Sequence, residues 1–185
     1  MTNGLAGRRR ELITSLIRDV PDFPKPGVVF KDITPVLADP EGFRAVVSEL
    51  ISTAPADIDV VIGMEARGFI LAAPVALALG AGFVPVRKPG KLPGATYSES
   101  FSLEYGHETL TVHTDAVRPG SRVLVIDDVL ATGGTVGATA GLIRQLGAEL
   151  VHVSVLLELA FLDPRRHLAE HGLTEGDVSS ILTVG

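Results

Sequence analysis

Val123-Leu124-Val125-Ile126-Asp127-Asp128-Val129-Leu130-Ala131-Thr132-Gly133-Gly134-Thr135 is the stretch of this chain that decides the fold. Its leading apolar residues are typical of a buried parallel strand. We expect a loop from Asp127 to Thr135, followed by a helix that continues to Leu146. The paired glycines let the backbone approach an anion closely, and the amide groups at a helix start point towards such an anion. The stretch therefore predicts an anion-binding loop at the end of a strand.

The adjacent carboxylates of Asp127 and Asp128 restrict what this loop binds. They would repel a bare phosphate, but they suit a sugar whose vicinal hydroxyls need acceptors, and they can support Mg²⁺ held mostly by substrate oxygens. Neither a Walker lysine nor a dinucleotide glycine triplet is present, which argues against those two phosphate-loop classes. A plain strand–turn–helix junction with a capping aspartate is the simpler alternative. The combination of residue types favours a ribose 5-phosphate site.

Strands and helices alternate on both sides of this stretch, which predicts a parallel α/β sheet covered on both faces. Ligands of such sheets bind at the carboxyl ends of the strands. The predicted strands are 59–63, 83–86, 110–113, 122–126, 149–157 and 179–184, and the predicted helices are 5–17, 40–52, 69–79 and the one that ends at Leu146. Residues 21–27 form a proline-stiffened turn, and the polar segment 95–107 is expected to be a flexible lid without regular structure.

The composition bounds the function. The chain has 185 residues, 46% of them hydrophobic and 21% charged, which is typical of a single globular domain. No cysteine is present, which excludes disulfides and thiolate chemistry and fits a reducing cytoplasm. The net charge of −6 argues against general nucleic-acid binding. We expect neither a signal peptide nor a membrane span, because the longest apolar stretch, 68–82, is broken by Pro74.

Positive charge is concentrated in two short segments that follow predicted strands. Arg67 lies in Glu65-Ala66-Arg67-Gly68, at a helix start where a cation is electrostatically unfavourable unless an anion binds there. Arg87, Lys88 and Lys91 lie between prolines and glycines. A solvated charge run is the usual explanation for such a cluster. Its position directly after a strand of an acidic protein favours contacts with an anionic ligand instead.

These segments together resemble type I phosphoribosyltransferases, and most of all the adenine phosphoribosyltransferase family. The resemblance covers residues from about 21 to 157 in family order. The matching stretches are Pro24 to Ile33, Glu65 to Phe69, Arg87 to Gly94, Leu103 to Gly106 and Asp127 to Thr135. The resemblance implies one domain over 1–185, with a mostly parallel twisted sheet, a small N-terminal hood at 1–35 that contributes to the base pocket, and a mobile lid loop. It also implies a homodimer, and from the composition we expect this homodimer to be cytoplasmic and to bind neither nucleic acid nor membranes.

The activity implied by the resemblance is Mg²⁺-dependent transfer of the 5-phosphoribosyl group from 5-phosphoribosyl-1-pyrophosphate to adenine. The products are AMP and pyrophosphate, as in purine salvage. In the family, the loop that resembles Glu65 to Gly68 often contains a cis peptide bond.

The resemblance also implies roles for individual residues, four of them catalytic: Glu104, Arg67, Asp127 and Asp128. Asp127 would also support the metal indirectly. The 5-phosphate loop would be Ala131, Thr132, Gly133, Gly134 and Thr135. The pyrophosphate contacts would be Glu65, Ala66, Arg67, Arg87, Lys88 and Lys91. The base pocket would be Val29, Phe30, Lys31 and Leu130, with Phe30 stacking on the purine and Tyr105 in the lid. Core packing by Phe30 and a solvated carboxylate at Glu104 are the simpler alternatives.

Other interpretations stay open. The same fold serves hypoxanthine, xanthine or orotate as the base. A regulator that keeps the phosphoribosyl loop but binds nucleic acid usually carries a basic extension, which is not seen here. A general sugar-phosphate enzyme would leave the cation cluster unexplained. His167 and His171 have the spacing of a metal pair, but no third ligand is evident and a solvated helix face explains them better.

Overall fold

The computed structural model describes residues 2–102 and 106–185, and these form two compact units that divide between Ser52 and Thr53. The first unit contains α1 (Thr2–Leu16), β1 (Arg18–Pro21), β2 (Val29–Asp32), α2 (Thr34–Ala38) and α3 (Pro40–Thr53), except that Thr53, the last residue of α3, belongs to the second unit. The predicted helices 5–17 and 40–52 are confirmed with small shifts at their ends. The unit extends beyond residue 35 because Arg9 and Arg10 of α1 both bind the buried carboxylate of Glu49 on α3.

A short antiparallel hairpin joins the two first-unit strands, with Val20 opposite Phe30. The proline-rich turn lies between the strands, and Gly27 closes it at φ 86° while its amide donates to Asp22 Oδ1 at 2.8 Å. At the end of β2, the Thr34 amide and the Arg18 guanidinium donate to the carboxylate of Asp32 and lower its pKa to about 2.

The second unit is built on a parallel five-stranded sheet in the order β4-β3-β7-β8-β9. Its strands are β3 (Val60–Met64), β4 (Gly82–Val86), β7 (Arg122–Leu130), β8 (Glu149–Leu159) and β9 (Val178–Val184). Its helices are α4 (Arg67–Leu79), α5 (Gly134–Gln145) and α6 (Pro164–Glu170). The apolar strand faces form the core with α5, through residues such as Ile62, Val125, Val153 and Leu142. The predicted parallel α/β architecture is confirmed.

The predicted loop from Asp127 to Thr135 is too long. Asp127 and Asp128 belong to β7, which continues to Leu130. The physical reason is the neighbouring strand: β8 extends to Leu159 and pairs Asp127 with Val155 and Leu130 with Glu158. Only residues 131–133 separate the strand from α5. The carboxylates are therefore held by a strand ladder and not by a loop.

The expectation of irregular structure over 95–107 is wrong for most of that segment. β5 (Thr96–Ser102) pairs along its length with β6 (His107–His113) in an antiparallel hairpin, and β6 confirms the predicted strand 110–113. Tyr97 and Phe101 alternate with serines, and both aromatic side chains pack against the core of the second unit. This period of two was present in the sequence and marks a half-buried strand.

A chain of hydroxyl and imidazole hydrogen bonds crosses the last two strands. His152 Nε2 lies 2.9 Å from Ser179 Oγ, which lies 3.0 Å from Ser154 Oγ, and Ser154 is joined in turn to Thr53 Oγ1 at 2.8 Å. Burial lowers the pKa of His152, and the nearby Asp177 carboxylate only partly opposes this effect. None of the helices that the structure describes combines the length and apolar character needed to cross a bilayer.

Replacing His152 by Gln should flatten the acid side of the pH–stability profile. Because the folded-state pKa of His152 is lowered, the unfolded chain binds its proton more readily, so stability is lost as the pH falls below about 6.5. His171 shifts in the same direction, so His152→Gln removes only part of the slope. Urea unfolding between pH 5 and pH 8 measures this, with His107→Gln at an exposed position as the matched control. An unchanged slope in His152→Gln would contradict the assignment.

Candidate active site

Three short segments lie at the carboxyl ends of three neighbouring strands, β4, β3 and β7. They are the turn from β3 into α4, the segment 87–94 after β4, and the turn 131–133 from β7 into α5. Strand ends of a parallel sheet share one edge, so these segments face the region where ligands of such sheets bind. This is the arrangement that the strand–helix alternation predicts.

The turn after β7 leaves the start of α5 open. A cavity there is lined by residues 129–136. Gly133 precedes the helix at φ 88°, and within the described part of the chain no side chain caps it. The first amide groups of a helix have no acceptor in the helix itself, so they are available to an anion. Thr132 and Thr135 line the same cavity with hydroxyl groups. The segment can therefore hold a phosphate group through five consecutive residues.

Gly133 in this turn and Gly134 at the start of α5 also lie where a side chain would clash, which the sequence did not reveal. A β-carbon at position 134 would lie 2.6 Å from Cδ2 of Phe101, on the hairpin strand β5. One at position 133 would lie 3.0 Å from the carbonyl oxygen of Pro164, at the start of α6. The turn is thus packed tightly from the hairpin and from α6. Phe101 is a site-supporting residue that sequence reasoning missed, although its place in an alternating pattern could have marked it.

The acidic pair at the end of β7 is buried, with Asp127 8% and Asp128 6% exposed. Asp127 Oδ1 accepts a hydrogen bond from the Asp128 amide at 2.9 Å. Burial, and then the neighbouring Asp128 charge, raise the pKa of Asp127 well above its ordinary value. Two neighbouring buried carboxylates favour ligands that donate hydrogen bonds or carry positive charge.

Arg67, the first residue of α4, reaches the second carboxylate. Its Nη2 atom lies 2.7 Å from Asp128 Oδ2. The contact is an ion pair without hydrogen-bond alignment, and among the described residues this buried oxygen has no hydrogen-bond donor. Asp128 is therefore held mainly by the positive charge of Arg67. The sequence placed Arg67 and Asp128 in one site but did not indicate their direct contact.

Glu65 ties the turn after β3 to the segment after β4. Its carboxylate accepts from Arg87 Nε at 3.1 Å, from Arg87 Nη2 at 3.3 Å and from the Lys88 amide at 3.1 Å. The Arg87 hydrogen bonds, and then that of the Lys88 amide, lower the pKa of Glu65, so the group is ionised at neutral pH. The Glu65–Ala66 peptide bond is cis. Glu65 thus contacts two of the predicted pyrophosphate residues, Arg87 through its side chain and Lys88 through its amide.

The three cations of the segment after β4 have different surroundings. The Arg87 guanidinium donates to the Lys91 carbonyl at 3.2 Å and lies 5.9 Å from the centre of the Phe69 ring. Lys88 pairs with Glu108 of β6, whose carboxylate raises the lysine pKa. Lys91 is exposed and makes no ion pair with any residue that the structure describes. Arg87 is consequently fixed in place, whereas Lys91 keeps its charge available.

The residues predicted for the base pocket lie in both units. In the first unit the Phe30 ring meets the Phe23 ring edge to face, with centroids 5.2 Å apart, and Lys31 Nζ binds Asp19 at 2.8 Å. Val29 is 53% exposed. In the second unit Leu130 is buried beside the turn 131–133. Phe23 was not among the residues predicted for the base pocket. Its place between two prolines of the stiff turn is the sequence signal that could have marked it as a rigid neighbour of Phe30.

The other residues singled out from the sequence are two in the predicted lid and two histidines near α6. Glu104 and Tyr105 lie outside the described residues. The rings of His167 and His171 meet edge to face at 5.1 Å, and His171 follows the last residue of α6. Among the described residues, no group of three or more histidine or carboxylate side chains is arranged to hold a metal ion.

Comparison with known proteins gives a consistent result. The family model of the phosphoribosyl transferase domain matches residues 36–171. An adenine phosphoribosyltransferase of Cutibacterium acnes is 68% identical over 176 residues, covering 95% of this chain and 98% of that protein. The crystal structure of adenine phosphoribosyltransferase from Thermoanaerobacter pseudethanolicus has a TM-score of 0.89 at 46% identity, covering 95% of this chain and 99% of that one.

A third relative was solved with ligands. The Saccharomyces cerevisiae adenine phosphoribosyltransferase, complexed with D-2,5-dideoxy-2,5-imino-altritol 1,6-bisphosphate and adenine, has a TM-score of 0.87 at 34% identity. The match covers 95% of this chain and 99% of that chain.

Gly68→Ala should disturb the acidic pair without any change of charge. A β-carbon at position 68 would lie 2.7 Å from Asp127 Oδ1, so either α4 or the carboxylate must move. Overpacking of this kind lowers the free energy of unfolding by about 1–3 kcal/mol. Urea unfolding measures this loss through the shift of the midpoint. Gly82→Ala is the matched control, because its β-carbon would meet only ordinary contacts of 3.7 Å or more. Equal stability of the two variants would contradict the close approach of α4 to Asp127.

Proposed function

The chain belongs to the phosphoribosyltransferase domain family, and from this premise we infer that it is an adenine phosphoribosyltransferase. The enzyme transfers the 5-phosphoribosyl group of 5-phosphoribosyl-1-pyrophosphate to adenine and releases AMP and pyrophosphate, a reaction of purine salvage. Adenine is also the base bound by the yeast relative, together with a sugar-like bisphosphate.

One observation carries the inference furthest: a single strand, β7, ends in buried carboxylates and leads directly into an uncapped helix start. A phosphorylated pentose needs both, since its hydroxyls donate hydrogen bonds and its phosphate accepts them. We propose that 131–135 hold the 5-phosphate through amide and hydroxyl donors. Asp127 and Asp128 accept from the ribose hydroxyls, and their charge favours a sugar that becomes positive in the transition state.

The departing pyrophosphate needs positive charge on the other side of the sugar. We propose that Arg67, Arg87 and Lys91 supply it, with Ala66 contributing its amide and Lys88 a nearby charge. Glu65 supports this arrangement because its carboxylate holds Arg87 in a fixed orientation. Donors that are already oriented do not have to reorganise during the reaction, which is why such groups lower the barrier.

Mg²⁺ is the cofactor that we propose for this site. The donor set fits a metal held mainly by substrate oxygens, because the described residues provide a buried pair of carboxylates, one of them in contact with the Arg67 guanidinium, but no group of three protein ligands. When bound, Mg²⁺ neutralises charge on the pyrophosphate. Asp127, beside Asp128, is the residue that we expect to support it indirectly.

For the base, we propose that Phe30 stacks on adenine, that main-chain atoms of Val29 and Lys31 read its edge, and that Leu130 lines the pocket. Main-chain reading is supported by the engagement of the Lys31 ammonium with Asp19. Glu104 as the acid–base group and Tyr105 as a lid residue remain predictions. A homodimer and a cytoplasmic location are likewise predictions, which light scattering and cell fractionation can test.

The purified chain should release pyrophosphate and form AMP in equal amounts from adenine, 5-phosphoribosyl-1-pyrophosphate and Mg²⁺. Hypoxanthine, xanthine and orotate should react with kcat/KM lower by about 10²-fold or more, because polar groups that pair with adenine are left unpaired by the other bases. A coupled pyrophosphate assay with each base separately measures this. Preference for one of the other bases, or no release with adenine, would reject the assignment.

The double change Asp127→Asn with Asp128→Asn should lower kcat/KM by about 10²-fold or more, because it removes acceptor charge facing the sugar. The single change Asp127→Asn should also stabilise the fold. Since the folded-state pKa of Asp127 is raised, the folded protein binds the proton more tightly, and wild-type stability falls as the pH rises above about 4.

Asp127→Asn removes that loss and keeps an oxygen for the Asp128 amide. Denaturant unfolding at pH 5 and pH 8 measures the difference, with the exposed Asp115→Asn as the matched control. Wild-type turnover in the double variant would exclude a role of the pair in sugar binding. A loss of stability in Asp127→Asn that grows with pH would show that the carboxylate is not destabilised by burial.

A further inference from the structure

An ion pair between Glu158 and Arg165 lies near the turn 131–133, and the proposed mechanism does not use it. Glu158, near the end of β8, is 4% exposed. Arg165 of α6 binds it with two parallel hydrogen bonds, from Nε to Oε1 at 2.7 Å and from Nη2 to Oε2 at 2.9 Å. Ser180 of β9 donates to the same carboxylate at 2.8 Å. Such a fork-shaped pair fixes geometry as well as charge.

The third guanidinium nitrogen of Arg165 binds the segment before β9. Arg165 Nη1 donates to Glu175 Oε2 at 2.7 Å, and to the carbonyl oxygens of Glu175 and Val178 at 3.3 Å each. One side chain of α6 therefore contacts β8, the turn before β9 and the first residue of β9. α6 has only seven residues, so it depends on such contacts for a fixed position.

α6 in turn supports the phosphate turn. A β-carbon at Gly133 would lie 3.0 Å from the Pro164 carbonyl oxygen, 3.3 Å from the His167 ring and 3.3 Å from the Leu168 side chain. Gly133 is the residue that precedes α5 in the left-handed conformation. On the sheet side, Glu158 pairs in register with Leu130, the last strand residue before the turn. The Glu158–Arg165 pair thus joins the strand residue beside Leu130 to the helix that packs on Gly133, at the two ends of the turn 131–133.

We propose that the Glu158–Arg165 pair positions the 5-phosphate loop, with Arg165 acting through α6 on Gly133. Both are positioning residues, because neither touches the loop cavity. The proposal rests on the assignment of 131–135 as the 5-phosphate site. It places a determinant of sugar-phosphate affinity on the far side of the loop from the substrate. Misplacement of the loop weakens binding of the phosphorylated sugar first, because its phosphate takes several amide donors from that one turn.

The test separates the two substrates. In Arg165→Met, KM for 5-phosphoribosyl-1-pyrophosphate should rise about tenfold or more while KM for adenine stays within about twofold, since a misplacement of about 1 Å can cost as much as about 10²-fold. Arg165→Lys should give an intermediate value, because an ammonium keeps the charge but not the two parallel hydrogen bonds. All variants are assayed as full-length chains well below their melting temperatures.

Arg9→Met is the matched control, because Arg9 pairs with Glu49, a carboxylate that is equally buried but lies in the first unit. It should lower the melting temperature without a selective change in either KM. The proposal is overturned if Arg165→Met lowers the affinity for both substrates equally, or if its kinetic effect matches that of Arg9→Met.

Ribose 5-phosphate provides a readout that does not depend on turnover. It should raise the melting temperature of the wild type and of Arg9→Met, and it should raise that of Arg165→Met much less. If the wild type does not convert adenine but binds ribose 5-phosphate, and Arg165→Met responds to it much less, the proposed function fails and the positioning role stands. If the wild type converts adenine and all three proteins respond equally to ribose 5-phosphate, only the positioning role fails.

Discussion

The burial of Asp127 and Asp128 at the end of β7 is the constraint on which the site depends. Two unit charges about 4 Å apart repel by about 4 kcal/mol at an effective dielectric constant of about 20, so adjacent buried carboxylates are tolerated only where their surroundings hold them. Here the β8 ladder fixes the backbone, Gly68 lets α4 approach without a side chain, and Arg67 neutralises part of the charge. The raised pKa of Asp127 shows that burial and the neighbouring Asp128 charge still disfavour its ionised form. A ligand that donates hydrogen bonds or brings positive charge would relieve that repulsion.

The sequence predicted those features that depend on local chemistry. Apolar runs marked the parallel strands, and the glycines and small residues after Asp128 marked the turn into α5. The end of β7 was predicted four residues too early, at Ile126, because carboxylates at a strand end resemble the start of a loop. What carries β7 on to Leu130 is its pairing with β8, which no local pattern encodes. The hairpin strand Thr96–Ser102 was a different case: its alternation was visible, but its serines suggested a loop.

The ion pairs of the site could not be predicted by the same means. Arg67 meets Asp128, and Glu65 meets Arg87, because β3 lies between β4 and β7 in the sheet. Strand order follows from packing of the whole sheet, and the sequence separations of these pairs give no hint of it. The composition did predict that positive charge must be local in an acidic chain. The structure adds that part of that charge is already committed: Glu65 and Glu108 hold two of the three cations after β4.

Gly133 and Gly134, between β7 and α5, show how a glycine can be required for more than one physical reason. Sequence reasoning assigned them to close approach of an anion, which needs backbone amides without side chains nearby. Gly134 also makes room for Phe101 of the hairpin, and Gly133 makes room for α6. The turn is therefore packed between two elements that come from opposite sides of β7 in the sequence. A loop held in this way presents its amides in one arrangement, so an anion that bound there would not have to order it. The arrangement of those amides is then set as much by the residues that fix the hairpin and α6 as by the loop itself.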